Sequence, residues 1–302
     1  MTTKPAVRTR PIGMRDSRAY RVFRVVNTVV LLGVVAVTLY PFLNIVAQSF
    51  SDEAAIRAGE VNLLPRGFNT TTYELVMSDA MFWRNYQNTV VYTVVATAIA
   101  MVLTTCYAYV LSKHELRGRN VLIGIAVFTM FWGGGLIPNY VLITSLGMKN
   151  TLWAIVLPNA ISVFNLLVMK SFFENMPREL EEAAQIDGLS TYGILWRIVL
   201  PLSKAVVSTM TLFYAVSFWN SWFAGFLYMD RSELFPVTVY LRNLIAGAET
   251  ASSTGGGGDT LLQVAASIQS VTIVLTVLPI LFGYPFVQRF FVSGVMLGSV
   301  KQ

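Results

Sequence analysis

Thiol, metal and ionisable-relay chemistry have little to work with in this chain. One cysteine, Cys106, and one histidine, His114, stand among 302 residues, so neither an intrachain disulfide nor a Cys/His metal cluster can be assembled. Charged side chains make up only 13% of the residues, against roughly 25% in ordinary soluble domains. There is also no GxxxxGK[ST] phosphate-binding loop, so ATP is not hydrolysed through that motif by this chain. What is abundant is apolar sequence: 55% of residues are hydrophobic and the mean hydropathy is +0.59. That balance excludes an ordinary soluble enzyme, a disordered chain and a disulfide scaffold. The formal net charge of +6 raises nucleic acid as a partner, but in a chain of this composition basic residues are first a topology signal.

A bilayer-spanning helix needs about 20 mainly apolar residues, and six such runs are present, near Val25–Ala47, Asn88–Ser112, Val121–Thr144, Thr151–Met169, Ala205–Tyr228 and Ser267–Val287. The expectation is an all-α membrane protein with six transmembrane helices. The first run exceeds the apolar core of a cleaved signal peptide and is read as an uncleaved span. Residues 1–24 carry Lys4, Arg8, Arg10, Arg15, Arg18, Arg21 and Arg24 against one acid, Asp16, which favours a cytoplasmic N-terminus. Sixteen basic residues then fall inside and six outside, as the positive-inside rule requires. Six spans return the other end to the cytoplasm, so both termini are expected inside. The chain divides into a basic segment 1–24, a six-helix membrane body 25–287 and a tail 288–302.

Within the apolar cores there is no Asp, Glu, Lys, Arg or His, although such residues usually mark proton relays and ion coupling. The interior instead carries uncharged polarity. Asn159, Ser162 and Asn165 recur every three residues, and Tyr214, Ser217 and Ser221 fall at i, i+3 and i+7, with Asn220 beside them. Amides and hydroxyls match the hydroxyls of a sugar, and aromatic rings stack on its faces. The same residue types also hydrogen-bond between helices in membranes, and that reading stays open. Gly133, Gly134, Gly135 and Pro138 predict a broken third span, tolerated only where it is buried in protein or lines a cavity.

The segment 174–203 has the grammar of two short helices joined by a turn. Pro177 suits a first turn, Glu179, Glu181 and Glu182 favour the positive helix end, Gly188 suits a C-terminal stop, and Ser190 or Thr191 can cap the next helix. As structure alone it is an interfacial connector. Its wording, Glu182-Ala183-Ala184, Asp187-Gly188 and Ile198-Val199-Leu200-Pro201-Leu202-Ser203, resembles the EAA loop of permease subunits in binding-protein-dependent ABC importers. The resemblance covers nearly the whole chain, including Asn85-Tyr86-Gln87-Asn88-Thr89 and the terminal Gly298-Ser299-Val300-Lys301. Within that family the chain looks like the second permease of the maltose-importer type. Phe131-Trp132-Gly133-Gly134-Gly135 and Phe218-Trp219-Asn220-Ser221-Trp222 are similar to permeases for complex or acidic oligosaccharides, alginate importers among them. Leu195 and Ala205 depart from the Phe and Pro the family often has there.

The resemblance implies type I permease architecture and no catalytic or metal-binding residue. It implies that Glu182, Ala183, Ala184, Asp187 and Gly188 couple to a cytoplasmic ATPase subunit, which holds the ATP and magnesium. The implied partners are a second homologous permease, two ATPase subunits, an extracytoplasmic solute-binding protein and the lipid bilayer, with an oligosaccharide as solute and no nucleic acid. The location implied is the bacterial inner membrane. Gly255, Gly256, Gly257 and Gly258 are either a flexible linker or, by the same resemblance, a loop that enters the binding protein's cleft. Arg57, Arg66, Arg84, Arg231 and Arg242, expected outside, either attract an acidic sugar or are ordinary surface charges. The competing class is a self-contained facilitator or sodium-coupled carrier, since sodium can be held by backbone carbonyls alone.

Overall fold

The computed structural model describes residues 18–253 and 267–283, and the regular elements among them are all helical. In chain order they are α1 (Arg18–Ser49), α2 (Glu53–Arg57), α3 (Thr71–Ser78), α4 (Ala80–Ser112), α5 (Arg119–Phe131) and α6 (Leu136–Ser145). Then follow α7 (Trp153–Val156), a 3-10 turn Leu157–Asn159, α8 (Val163–Glu174) and α9 (Arg178–Ile186). Next come α10 (Thr191–Ile194), a π-helical turn Leu195–Val199, α11 (Leu200–Leu202) and α12 (Lys204–Trp219). The series ends with α13 (Trp222–Tyr228), a 3-10 turn Ser232–Leu234, α14 (Val237–Ser253) and α15 (Ser267–Gly283).

The central element is α4. Asp79 caps it by accepting the Met81 amide N–H at 2.8 Å, and its 33 residues extend about 50 Å. Along one face Ala96, Ala100, Thr104 and Ala108, spaced four apart, are each 0% exposed. These small side chains let neighbouring backbones approach closely, the usual route to helix association in lipid. Tyr214 and Phe218 of α12 pack on the Ala96–Ala100 end, while Leu166, Met169 and Phe173 of α8 pack around Ala108 and Tyr109. By contrast α1 stands apart: its apolar window is not buried at all, and Val37 is 74% exposed. A helix apolar all round its circumference is suited to lipid. Its last turns dock, where the Asn44 amide donates to the carbonyls of Val61 and Asn62 at 3.0 and 2.8 Å and Gln48 accepts from Ser270 at 3.1 Å.

The six expected apolar runs all fall on helices, and the expected break in the third is joined by others. Two described helices, α1 and α4, are long and apolar enough to cross a membrane, or up to five spans if each bent pair is one. The third expected span is α5 and α6, bent by 111° at Gly133–Gly135, where Gly135 takes φ +84°. This break is where the glycine run places it. The fourth is bent by 51° between Asn159 and Val163 and continues past Met169 to Glu174. The fifth falls on α12, which is bent by 87° from the segment Thr191–Leu202 before it, and on α13 beyond an interruption at Asn220 and Ser221. The last is α15, a shorter apolar helix ending at Gly283; its expected end at Val287 lies outside the described residues, as do residues 1–17 and the tail 288–302.

Ion pairs fasten the ends. The Glu174 carboxylate meets Lys170 at 2.7 Å, His114 Nε2 at 3.3 Å and Arg119, while Arg119 Nε donates to the Leu111 carbonyl at 2.7 Å. One carboxylate thus gathers the ends of α4, α5 and α8, and it explains the sole histidine. At the other ends of α6 and α13, Lys149 pairs with Asp230 at 3.0 Å, and the Asn150 amide donates to Asp230 at 3.1 Å. The Lys149 hydrogen bond, then that of Asn150, holds the Asp230 carboxyl below its ordinary range. Hydrogen bonds to Tyr140 and then Asp230 raise the Lys149 ammonium.

Two outcomes follow. A Cβ at Gly225 would lie 2.5 Å from Pro236 Cγ and 2.6 Å from its Cδ, so Gly225→Ala must push α13 from α14 and cost about 1–3 kcal/mol. Thermal unfolding of the detergent-solubilised protein should record the loss, and Gly247→Ala, which meets nothing within 4 Å, should not show it. The clasp is complete between the ordinary Asp and Lys values; it is lost as pH falls through the lowered Asp230 pKa or rises through the raised Lys149 pKa. In melting temperature against pH, Asp230→Asn should flatten the acid limb and Lys149→Gln the alkaline limb.

Candidate functional site

The break between α7 and α8 makes the first candidate site. Pro158 supplies no amide N–H, and the chain restarts as α8 with Ser162 as its N-cap, its hydroxyl accepting the Asn165 amide N–H at 3.4 Å. The reading of Asn159, Ser162 and Asn165 as a stripe along one continuous helix is therefore corrected: Asn159 ends a 3-10 turn, Ser162 caps, and Asn165 opens the next helix. The backbone turn still brings them together. Asn159, Ser162 and Asn165 line a cavity of about 380 Å³ with Phe213, Tyr214 and Ser217 of α12.

Tyr214 is 2% exposed, and its hydroxyl is the hinge pin of this cavity. It accepts the Ser162 amide N–H at 2.8 Å and lies 2.6 Å from Thr104 Oγ1 of α4. Three elements meet at one oxygen, which satisfies a backbone donor that the break has released. Asn165 differs: it is 4% exposed, lines the cavity, and its carboxamide has no hydrogen-bond partner among the described residues. That amide is open to the cavity and can pair with water or a polar solute. Ser217 and Asn159 are exposed to the same cavity. Asn220 and Ser221 are not part of it. They occupy the α12–α13 break, where Asn220 donates to the Val216 carbonyl at 2.9 Å and Ser221 to that of Phe218 at 2.6 Å.

The second candidate site is the helix-turn-helix. α9 ends in a Schellman turn, with the Leu189 N–H on the Ala184 carbonyl and the Gly188 N–H on that of Gln185, both at 3.0 Å. Gly188 there has φ +81°, a conformation that costs glycine little. Ser190 then caps α10 by accepting the Gly193 N–H at 3.2 Å. Glu182, Ala183, Asp187 and Gly188 are exposed. Ala184 is not: at 4% exposure it packs in the core with Ile194, Leu195 and Phe173, so the expectation that it enters a partner's cleft is corrected to internal packing. Alongside it, Glu181 accepts from Tyr109 Oη at 3.2 Å and pairs with Lys113. That pair joins α9 to the end of α4. Sequence reading missed it because Glu181 was assigned only to the helix dipole; its i, i+3 relation to Ala184 was the available signal. Ile186 and Tyr192, 87% and 76% exposed, add apolar surface to the turn.

Gly255, Gly256, Gly257 and Gly258 lie outside the described residues. Among the described residues there is no cluster of three His, Cys, Asp or Glu side chains able to hold a metal.

A broken-helix bundle with an amide-lined cavity and an exposed, stiffly built terminal turn defines a polytopic membrane subunit of the permease class. Residues 120–297 match the family of binding-protein-dependent transport system inner membrane components, and the chain belongs to that family. It is 41% identical over 288 residues to Protein LplC of Bacillus subtilis, covering 95% of this chain and 98% of that one. It is 37% identical to the polygalacturonan/rhamnogalacturonan transport system permease protein YtcP of the same species, over 90% of this chain and 95% of its relative. A subunit in the crystal structure of a bacterial ABC transporter involved in import of the acidic polysaccharide alginate superposes with a TM-score of 0.80, at 33% identity over 91% of this chain and 98% of that one. The fold is thus the type I permease fold. The protein is a multi-pass permease of the bacterial inner membrane, not itself an enzyme, and it works with an ATPase subunit and a solute-binding protein.

The hydroxyl pin can be tested by Tyr214→Phe, which leaves the Ser162 N–H without its acceptor. The expected cost is about 1–3 kcal/mol, read as a lower melting temperature in detergent, with a smaller loss for Thr104→Val.

Proposed function

We propose that this chain is half of the translocation pathway of an ATP-driven importer for an oligosaccharide, acidic and alginate- or pectin-like. A second homologous permease supplies the other half, and two ATPase subunits, which hold the ATP and magnesium, stand beneath the pair. The observation that carries the reading is the cavity at the α7–α8 break, whose amides and hydroxyls gather without a charged side chain. The support for an acidic sugar is that a 37% identical relative is named for polygalacturonan and rhamnogalacturonan transport, and that the superposed transporter imports alginate.

In this reading both termini and the α9–α10 turn are cytoplasmic, and the α13–α14 end faces the binding protein. Asn159, Asn165 and Ser217 contact the solute, Tyr214 holds the break, and Asn220 and Ser221 shape a second break further along. Glu182, Ala183, Asp187 and Gly188 form the exposed contact for the ATPase subunit, while Ala184 and Glu181 hold that contact to the bundle. Closure of the ATPase subunits on ATP moves the turn, and Glu181 passes the movement to α4. The run Gly255–Gly258 is assigned to the binding-protein side.

The test is ATPase and uptake by the full complex in liposomes. Glu182→Lys or Gly188→Asp should leave the chain inserted but lower uptake per ATP by about tenfold, an order-of-magnitude loss of coupling. Unchanged coupling in both variants would remove the turn from the mechanism. Uptake by the chain alone, without ATP, would instead establish the carrier.

A further inference from the structure

We infer that Arg242, held over Trp222 and Phe226, forms a carboxylate-reading subsite for one uronic acid unit of an oligosaccharide. The inference rests on the importer reading above and narrows it to a second, separate site. The Arg242 guanidinium carbon lies 4.6 Å from the Trp222 ring centroid and 5.0 Å from that of Phe226. The two rings are one turn apart on α13, and Arg242 approaches them from α14. A guanidinium lying on aromatic faces is restrained by them, while the N–H groups at its edge remain able to grip a carboxylate with two parallel bonds. Among the described residues Arg242 has no carboxylate or carbonyl partner.

Beside this cation lies a cavity of about 370 Å³, lined by Trp222, Leu241, Arg242, Ile245, Ile273 and Val277. It is large enough for a small organic ligand, and its makeup, mostly apolar walls with Thr238, Thr272 and Thr276 among them and one oriented charge, is the usual one for such sites. The wall and the charge together define the ligand. A free inorganic anion leaves the apolar wall unused, and a neutral sugar leaves the cation unpaired. A uronate satisfies both, since its carboxylate meets the guanidinium while the C–H face of its ring lies against the indole. The position also fits, because Trp222 directly follows the Asn220–Ser221 break. An anionic lipid shares the acid-plus-apolar chemistry and is the competing occupant.

The test is a cycle of one substitution against one chemical change in the solute, run on the full reconstituted complex with its binding protein. Half-saturating concentrations for ATPase stimulation are measured with oligogalacturonate and with its methyl ester. Vesicles are made of phosphatidylcholine alone and with added phosphatidylglycerol. Because the binding protein is common to every arm, the coupling between Arg242 and the carboxylate is isolated. Arg242→Gln should raise the value for the acid about tenfold, equivalent to about 1.4 kcal/mol, and leave the ester unmoved in both vesicle types. Arg242→Lys, with charge but no fork, should fall between. Equal weakening of acid and ester makes Arg242 a packing residue, an effect confined to phosphatidylglycerol vesicles makes it a lipid contact, and no effect on either sugar removes the site; each overturns the inference while leaving the importer reading standing. If neither sugar stimulates the parent complex in any vesicle, the importer reading for this solute class fails, and the subsite falls with it.

Discussion

A helix that breaks inside a bilayer releases backbone N–H and C=O groups where no bulk water can take them up, and this constraint organises the molecule. At the α7–α8 break the answer is a side chain from another span: the Tyr214 hydroxyl accepts the Ser162 N–H and is held against Thr104. The break is therefore affordable only if α4 and α12 stand in register beside it. That register depends in turn on Ala96, Ala100, Thr104 and Ala108, whose small side chains let the two helices close on α4. The tyrosine that looks like a solute contact by composition is first a structural group. In the proposed pathway the solute-facing role passes to its neighbours, above all to Asn165, which lines the cavity and has no hydrogen-bond partner for its carboxamide among the described residues.

The apolar runs were legible because their length is set by the bilayer, and the glycine run 133–135 announced its break because glycine alone removes both the Cβ and the helical preference. The α9–α10 turn was legible for a similar reason: Gly188 and Ser190 have geometric duties at a helix stop and a helix start. The break at Pro158 was harder. Asn159, Ser162 and Asn165 at three-residue spacing satisfy a helix template, yet serine and asparagine also serve helix starts, and periodicity alone does not separate the two uses. Burial was the least legible feature. Nothing local distinguishes Ala183, exposed, from Ala184, buried, because the difference lies in which face Phe173 and Ile194 meet. Glu181 and Glu182 are divided in the same way, and only the position of Lys113 on another helix decides it.

Those divisions matter to how force is carried. An exposed turn can transmit displacement only if it holds its own shape and is tied firmly to the bundle. α9 to α10 meets that requirement three times over: the Schellman bonds close the turn, Ala184 seats it in the core, and Glu181 ties it to Lys113 and Tyr109 on α4. The Glu174 cluster nearby fixes the ends of α4, α5 and α8 to one another, so a push on α9 arrives at a joined set of helix ends and not at one loose terminus.

From there α4 runs without a break past three sets of contacts. Its α9 end holds Glu181, its middle presents Thr104 to the Tyr214 pin, and near its start Asn88 and Tyr92 bind the carbonyls of Glu233 and Leu234, ahead of α14. A rigid rod of about 50 Å that touches three sites cannot move at one end without changing its contacts at the others, because packed interfaces switch between arrangements and do not deform smoothly. The broken helices beside it supply the give that α4 lacks. The division of labour follows from sequence at its simplest: α4 has no proline or glycine in its 33 residues, whereas the α5–α6 break has glycine and the α7–α8 break has proline and a capping serine where the chain gives way.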